Sequence, residues 1–203
     1  YQYLSDVKLN SVPGKCYNYS NVGAGMLGYI LATKNNTSYE DLVSKTICKP
    51  FNMNNTAIKL DKKQTEHLAV GYADSEAVSS WDFNDVTAGQ GALRSTIADM
   101  MKFLRYNMLP EVQLRNSILM TQEVQFEDAK KKVEVGLGWH IGDIAGQKYL
   151  FHSGGTGGYR SYIGLLPDSK KGVVVLSNST SDVDGIAFSI LTGLIEKSTP
   201  AIN

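Results

Sequence analysis

Lys148-Tyr149-Leu150-Phe151-His152-Ser153-Gly154-Gly155-Thr156-Gly157-Gly158-Tyr159-Arg160-Ser161-Tyr162-Ile163-Gly164-Leu165-Leu166 reads as two strands folded back on one another. Lys148 to Ser153 and Tyr159 to Leu166 have the period-two pattern of half-buried strands. The glycines from Gly154 to Gly158 let the backbone turn and let another group approach it closely. Working outward, Leu137 to Ile141 and Val173 to Ser177 read as two further strands. The connections Asp143 to Gln147 and Pro167 to Gly172 are long enough for hairpins and too short for crossover helices, so the sheet is expected to be antiparallel.

Helical signals flank this meander. After the Pro13-Gly14 turn, Asn21 can cap a helix carrying Val22, Met26, Leu27, Ile30 and Leu31 along one face. Ser38 and Asp41 make a capping-box start for a second helix with Leu42, Val43 and Ile47 as its stripe, stopped by Pro50. A third begins at Thr96, with Asp99 closing the box and Ile97, Met100, Met101, Leu104 and Met108 on one side. The methionines read as core filler. Asp182 caps a last helix whose Val183, Ile186, Ala187, Ile190, Leu191 and Leu194 are expected to face the sheet. Between Asn52 and Gly91 the periodicity is poor, which suggests a long excursion packed over the domain. Helices, a meander and a covering helix together predict an α+β layered fold.

The chain has 203 residues with 20 acidic and 20 basic side chains, so it lacks the long-range field that would draw nucleic acid or an anionic membrane. No nucleic-acid partner is expected. No apolar stretch approaches a membrane span, and the first residues have neither an initiating methionine nor a signal-peptide layout. The natural start is therefore expected elsewhere. Cys16 and Cys48 are read as free thiols, although spacing alone also permits one disulfide. Asn-x-Ser/Thr triplets at Asn18, Asn35, Asn54 and Asn178 are read as chance. His67 and His140 lack ligand-like spacing with each other or with the cysteines and are read as structural, so neither metal nor other cofactor is expected. Arg94 and Arg160 could meet an anionic substrate, but Arg160 alternates along its strand and can equally face solvent.

Four stretches in order carry a family resemblance: Tyr19-Ser20-Asn21 running into Val22-Gly23-Ala24-Gly25-Met26-Leu27-Gly28; Gly91-Ala92-Leu93-Arg94-Ser95-Thr96-Ile97-Ala98-Asp99-Met100; Gly136-Leu137-Gly138-Trp139; and His152-Ser153-Gly154-Gly155. From about Pro13 to Leu194 the chain resembles the serine β-lactamase and penicillin-binding protein superfamily, in its class C β-lactamase-like branch. Each stretch alone is a weak signal, but the ordered set is specific. The resemblance implies a β-lactamase/transpeptidase-like fold, an antiparallel sheet flanked by helices. It also implies acyl-enzyme hydrolysis of a β-lactam, a D-Ala-D-Ala-type peptide or an ester, in a periplasmic or extracellular bacterial setting.

That family uses Ser-x-x-Lys at a helix start, Tyr-x-Asn on a loop and Lys-Thr-Gly or His-Thr/Ser-Gly on a sheet-edge strand. The resemblance assigns Tyr19 to proton transfer and Asn21 to orienting the lysine and the substrate amide. His152 takes the place of the third-motif lysine, leaving a weaker, pH-dependent positive charge. Ser153 would bind a substrate carboxylate, and Gly154 and Gly155 would let backbone approach it, with the Gly155 N–H as one oxyanion donor. A phenol with pKa near 10 must be helped by positive charge to act as a base near neutrality. Taken alone, Asn21 could serve only as a helix cap and His152 only as a satisfied sheet histidine.

The first element, Ser-x-x-Lys, has no credible counterpart. Ser5-Asp6-Val7-Lys8 fits the spelling, but Pro13-Gly14 follows almost at once, leaving no buried helix to put serine and lysine on one face. Residues 1–203 are therefore expected to form the C-terminal portion of a single hydrolase domain, an incomplete fold whose exposed apolar face is covered by a complementary N-terminal segment or by a homodimer. The competing expectation is a non-catalytic β-lactamase-like protein that binds peptide or peptidoglycan-like ligands.

Overall fold

A computed structural model describes residues 5–111 and 113–196, with side chains at the C-terminal end described to residue 193. Six antiparallel strands make one sheet, each next to its chain neighbour: β3 (Phe126–Asp128), β4 (Val133–Val135), β5 (His140–Ile144), β6 (Gln147–Thr156), β7 (Tyr159–Leu166) and β8 (Lys171–Ser177). A separate two-stranded hairpin, β1 (Gly71–Ala73) and β2 (Glu76–Val78), turns through Asp74 and Ser75, both at positive φ, as a right-twisted two-residue hairpin turn requires. The helices are α1 (Asn21–Lys34), α2 (Tyr39–Val43, continued by a π-turn over Ser44–Cys48), α3 (Lys62–Glu66), α4 (Ile97–Met108), α5 (Arg115–Gln122) and α6 (Asp184–Glu196).

The expected meander is present, and its centre is the hairpin β6–β7. Thr156 pairs Tyr159 across Gly157 and Gly158, so the register runs Gly155 to Arg160, Ser153 to Tyr162 and Leu150 to Leu165. Alternation then sends successive side chains to opposite faces. On one face Leu150, Ile163 and Leu165 meet Leu104 of α4 and Trp139. On the other Tyr149, Tyr162, Leu166 and Val173 meet Val183, Ala187 and Leu191 at α6. Leu150, Leu165, Leu166 and Leu191 are wholly buried, each stabilising the fold by about 1.5 to 3 kcal/mol relative to an exposed side chain. A third cluster of Val43, Cys48, Phe51, Met53 and Ile118 lies between α2 and α5.

Several expectations are corrected. Ser20, extended at φ −145° and ψ 112°, caps α1 by accepting from the Gly23 N–H, and Asn21 is the first helical residue. The buried face of α1 is small rather than large: Gly25, Gly28 and Ala32 are buried, whereas Val22, Leu27, Ile30 and Leu31 are exposed. The reason is a backbone seam. A Cβ at Gly28 would lie 3.0 Å from the Gly89 Cα, and one at Gly89 would lie 2.6 Å from the Ala24 carbonyl oxygen.

On α4, Thr96 caps as expected and Leu104 is buried, but Ile97 and Met101 are exposed while Asp99 and Asn107 face inward. Asp99 does not close a capping box. Its carboxylate accepts from the Asn55 N–H at 2.7 Å, the Thr56 hydroxyl at 3.0 Å and Lys102 Nζ at 2.8 Å. Val183, just before α6, is buried with Ala187 and Leu191 on it, while Ile186 and Ile190 are exposed; the Leu194 side chain lies outside the described residues.

Leu137 begins a turn, not a strand. Gly138 sits at φ +89°, the Gly136 N–H donates to the Trp139 carbonyl, and the Leu137 N–H donates to the Thr121 carbonyl. The strand therefore starts at His140. Cys16 is exposed, Cys48 is buried, and the two are not bonded to each other. Among the described residues no helix is long and apolar enough to cross a membrane.

Candidate active site

The excursion from Asn52 to Gly91 folds over the tip of β6–β7. The Tyr72 N–H faces the carbonyls of Gly158 and Asn178, and the Tyr159 hydroxyl donates to the Ala69 carbonyl at 2.6 Å. A Cβ at Gly157 would lie 2.6 Å from the Trp81 ring, so the glycine-rich turn is tight because an indole rests on it. Arg94 proves structural: its guanidinium donates to the Ile58 and Trp81 carbonyls and pairs with Asp82.

At the other end of the chain, residues 17–19 are pinned to the β3–β4 turn. The Tyr17 N–H donates to the Asp128 carboxylate at 3.0 Å, and Lys131 Nζ donates to the Tyr17 carbonyl and to the Asn18 side-chain oxygen. The Tyr17 N–H is the main reason that the Asp128 carboxyl is held below the ordinary aspartate range. With Ser20 starting α1 immediately afterwards, the backbone on both sides of Tyr19 is held, and its exposed side chain stands at the sheet edge. Its ring centre lies 6.2 Å from that of His152.

Of the six residues singled out by sequence, Tyr19 and His152 are brought side by side from positions far apart in the chain. Asn21 is exposed on the first turn of α1, adjoining them through the cap. Ser153, Gly154 and Gly155 follow His152 along β6. β5 stops pairing with β6 at His140 opposite Phe151, so among the described residues His152 to Thr156 pair only with β7. The other side of that stretch is an open strand edge, offering backbone donors and acceptors to a ligand. A Cβ at Gly155 would lie 3.1 Å from the end of the Arg160 side chain, which would have to shift by a few tenths of an ångström to admit it. Arg160 itself is exposed and donates from Nε to the Thr180 carbonyl at 3.2 Å.

Two residues lie at the site that the sequence reading left outside it: His140, read as structural, and Tyr17. His140 has its ring centre 5.7 Å from that of His152 and 5.3 Å from that of Phe151, and the Tyr17 hydroxyl stands 3.5 Å from its Nε2. Burial holds both histidines below the ordinary value of 6.5; the charge of His152 adds to the effect at His140, and a hydrogen bond at the Ser153 backbone opposes it at His152. Both are therefore neutral near pH 7. Burial pushes the Tyr17 phenol up, with Tyr19 adding to it. The only sequence signal for His140 was its alternation on β5, which gives no hint of a partner 123 residues away.

Behind His152 an apolar trough of about 500 Å³ runs between α4, α5 and the sheet, lined by Phe51, Phe103, Ile118, Leu137, Trp139 and Ile163. Ser5 to Lys8 lie elsewhere in character: all four are exposed, and helix is confined to residues 5 and 6 of them.

Against known proteins, the pattern described as Beta-lactamase matches residues 1–189. The chain belongs to the beta-lactamase family. It is 24 % identical over 220 residues to a Beta-lactamase of Yersinia enterocolitica, covering 88 % of this chain and 55 % of that protein. It is 28 % identical over 191 residues to the D-alanyl-D-alanine-carboxypeptidase/endopeptidase AmpH of Escherichia coli (strain K12), covering 87 % of this chain and 49 % of the relative. A class C beta-lactamase structure superposes with a TM-score of 0.85 at 23 % identity, covering 95 % of this chain and 62 % of that one. The expected α+β fold with an antiparallel sheet flanked by helices is thus the family fold. These relatives are hydrolases by name, and the chain spans about half of their length.

Proposed function

We propose that this chain supplies the tyrosine and sheet-edge half of a serine acyl-transfer site, the nucleophilic serine and its lysine being carried by a segment that precedes it in the full-length protein. The observation that carries this reading is the meeting of Tyr19 and His152, with ring centres 6.2 Å apart, beside the open edge of β6. A serine entering there would have a phenol within reach for proton transfer and an unpaired strand for the acyl group. The Gly155 N–H is the proposed oxyanion donor, a contribution whose loss typically costs about 100- to 1000-fold in rate. Asn21 would orient the lysine and the substrate amide. Ser153 and Gly154 would line the approach.

Two features support a complementary segment. The trough ending at His152 is apolar, and Leu27, Ile30 and Leu31 leave an apolar face of α1 exposed. A helix of the preceding segment would cover such surfaces at a gain of roughly 25 cal/mol for each Å² of apolar area removed from water. A homodimer through the same faces is the competing arrangement. The proposed substrates are β-lactams, D-Ala-D-Ala-type peptides or esters, met in the periplasm or outside the cell.

The test is intact-mass spectrometry of the full-length protein after incubation with a reporter penicillin and, separately, a fluorophosphonate. The expected result is a single adduct on a serine upstream of Tyr1, abolished by replacing that serine. An adduct on a serine within residues 1–203 would overturn the reading. Absence of any adduct together with retained ligand binding would replace it with a non-catalytic binding protein.

A further inference from the structure

The imidazoles of His140 and His152 come from adjacent strands, with ring centres 5.7 Å apart and planes tilted by 42°. His140 is stacked on Phe151 at 27° and edge-on to Tyr17 at 5.8 Å, while His152 lies between Tyr19 and the trough. We propose that His140 is a positioning residue that limits the charge on His152, so that the two rings share a single proton over the range where each alone would titrate and the second proton enters only in more acid solution. The sharing of the proton stands on this cluster alone. Its consequence for substrates rests on the acyl-transfer reading given above.

The charged and titratable groups around the pair are few. From the loop before α1 come the Tyr17 and Tyr19 phenols. From β3 and the turn after it come Asp128 and Lys131, both engaged with the Tyr17–Asn18 backbone and side chains rather than with the imidazoles. From α4 and α5 the trough presents Asn107, Ser117 and Thr121, which are uncharged. Arg160 lies further along β6, over Gly155. β4 adds Glu134, which stands opposite Ile141 and not opposite His140, and among the described residues neither ring forms an ion pair with a carboxylate, so no salt bridge relieves the repulsion of a doubly protonated pair. Two unit charges 5.7 Å apart depress the second protonation by about half a pH unit in a water-like medium and by about 2 units at an effective dielectric constant of 20.

A substrate carboxylate therefore meets a neutral His152 at neutral pH and one positive charge, never two, in mildly acid solution. The discrimination between carboxylate-bearing and neutral substrates is thereby made a function of pH, with His140 setting the range.

The experiment is an NMR titration of the imidazole carbon-bound protons in the protein, in His140→Asn and in His152→Asn, with His67, exposed at the end of α3, as internal reference. The wild-type pair is expected to titrate in two separated steps. Each variant is expected to lose the lower step, its remaining histidine titrating about half a unit to 2 units above that step. A His140 midpoint unchanged in His152→Asn would overturn the proposal. Should His140→Asn fail to fold, His140→Gln keeps a polar group toward Tyr17 and gives the same comparison. The outcome is independent of penicillin adduct formation: coupled titration without an adduct leaves the shared proton standing and removes the acyl-transfer reading, and an adduct with independent titrations does the reverse.

Discussion

Gly89→Ala and Gly185→Ala are the same chemical change and should have opposite effects. At Gly89 the new methyl group would sit 2.6 Å from the Ala24 carbonyl oxygen and 3.2 Å from the Gly28 Cα. Both obstacles are backbone, so relief requires α1 to retreat by a good part of an ångström and opens the seam that buries Gly25 and Gly28. Overpacking of this kind costs about 1 to 3 kcal/mol. For a chain of this size each kcal/mol lowers Tm by about 2 to 4 °C, so a fall of several degrees is expected. At Gly185, exposed in the first turn of α6, nothing lies within 4 Å of the added Cβ. There alanine removes conformational freedom from the unfolded chain and should stabilise by about 0.5 to 1 kcal/mol. Thermal unfolding followed by circular dichroism decides it. Gly89→Ala melting at or above the wild type would refute the backbone seam, and with it the account of why the large apolar residues of α1 stay outside. Because Ser20 caps that helix and Tyr19 precedes the cap, Gly89→Ala should also disturb the Tyr19–His152 pair.

Three other outcomes are expected. The neutral forms of His140 and His152 are favoured in the fold, so the unfolded chain binds more protons below its ordinary histidine value of 6.5; their contribution to stability is intact above that pH and is lost as pH falls through the lower folded values, giving a Tm that declines on acidification, a decline that should shrink when both are replaced by asparagine. Asp99→Ala orphans the Asn55 N–H and leaves the Thr56 hydroxyl with Ser95 as its side-chain partner, and should cost about 1 to 3 kcal/mol in denaturant unfolding; a loss near zero would mean the hub is dispensable. Iodoacetamide should alkylate the exposed Cys16 in the folded protein and spare Cys48, whose thiol is buried and pushed up first by that burial and then by Asp99; equal labelling of both by mass spectrometry would contradict the packing around Phe51.

The β6–β7 hairpin was legible as two strands because period-two alternation holds from Lys148 to Ser153 and from Tyr159 to Leu166, but Gly154 to Thr156, read as part of the turn, extend β6 and leave only Gly157 and Gly158 to turn. Its register was not legible, and the open edge at His152 depends on β5 ceasing to pair at His140 opposite Phe151. The strands β3 and β4 were not legible. Phe126-Glu127-Asp128 and Val133-Glu134-Val135 are three residues each with charges at the centre, too short to establish a period. The helix α5 was missed for a related reason, since Arg115-Asn116-Ser117 opens it without a capping side chain. Asp99 has the look of a capping residue in a linear reading, and only the return of Asn55 and Thr56 past α4 turns it inward. Of the candidate site, Tyr19 and His152 were visible as motif members. Tyr17 and His140 were invisible as a pair because their meeting depends on where β5 begins, which the Gly138 conformation decides.

That starting point has a further effect. Pairing between β5 and β6 stops one residue before His152, at the foot of the four-residue turn from Gly136 to Trp139. The turn is riveted to the end of α5: the Leu137 N–H donates to the Thr121 carbonyl, and a Cβ at Gly136 would lie only 2.2 Å from that same oxygen. It behaves as a zipper stop. Were β5 lengthened by two residues at this end, every side chain would keep its face and the backbone groups beyond Phe151 would be sewn to β5. The cleft would vanish with each motif residue still in place. Loop length in a turn that carries no motif residue of the acyl-transfer site thus meters how much strand is left open to a ligand.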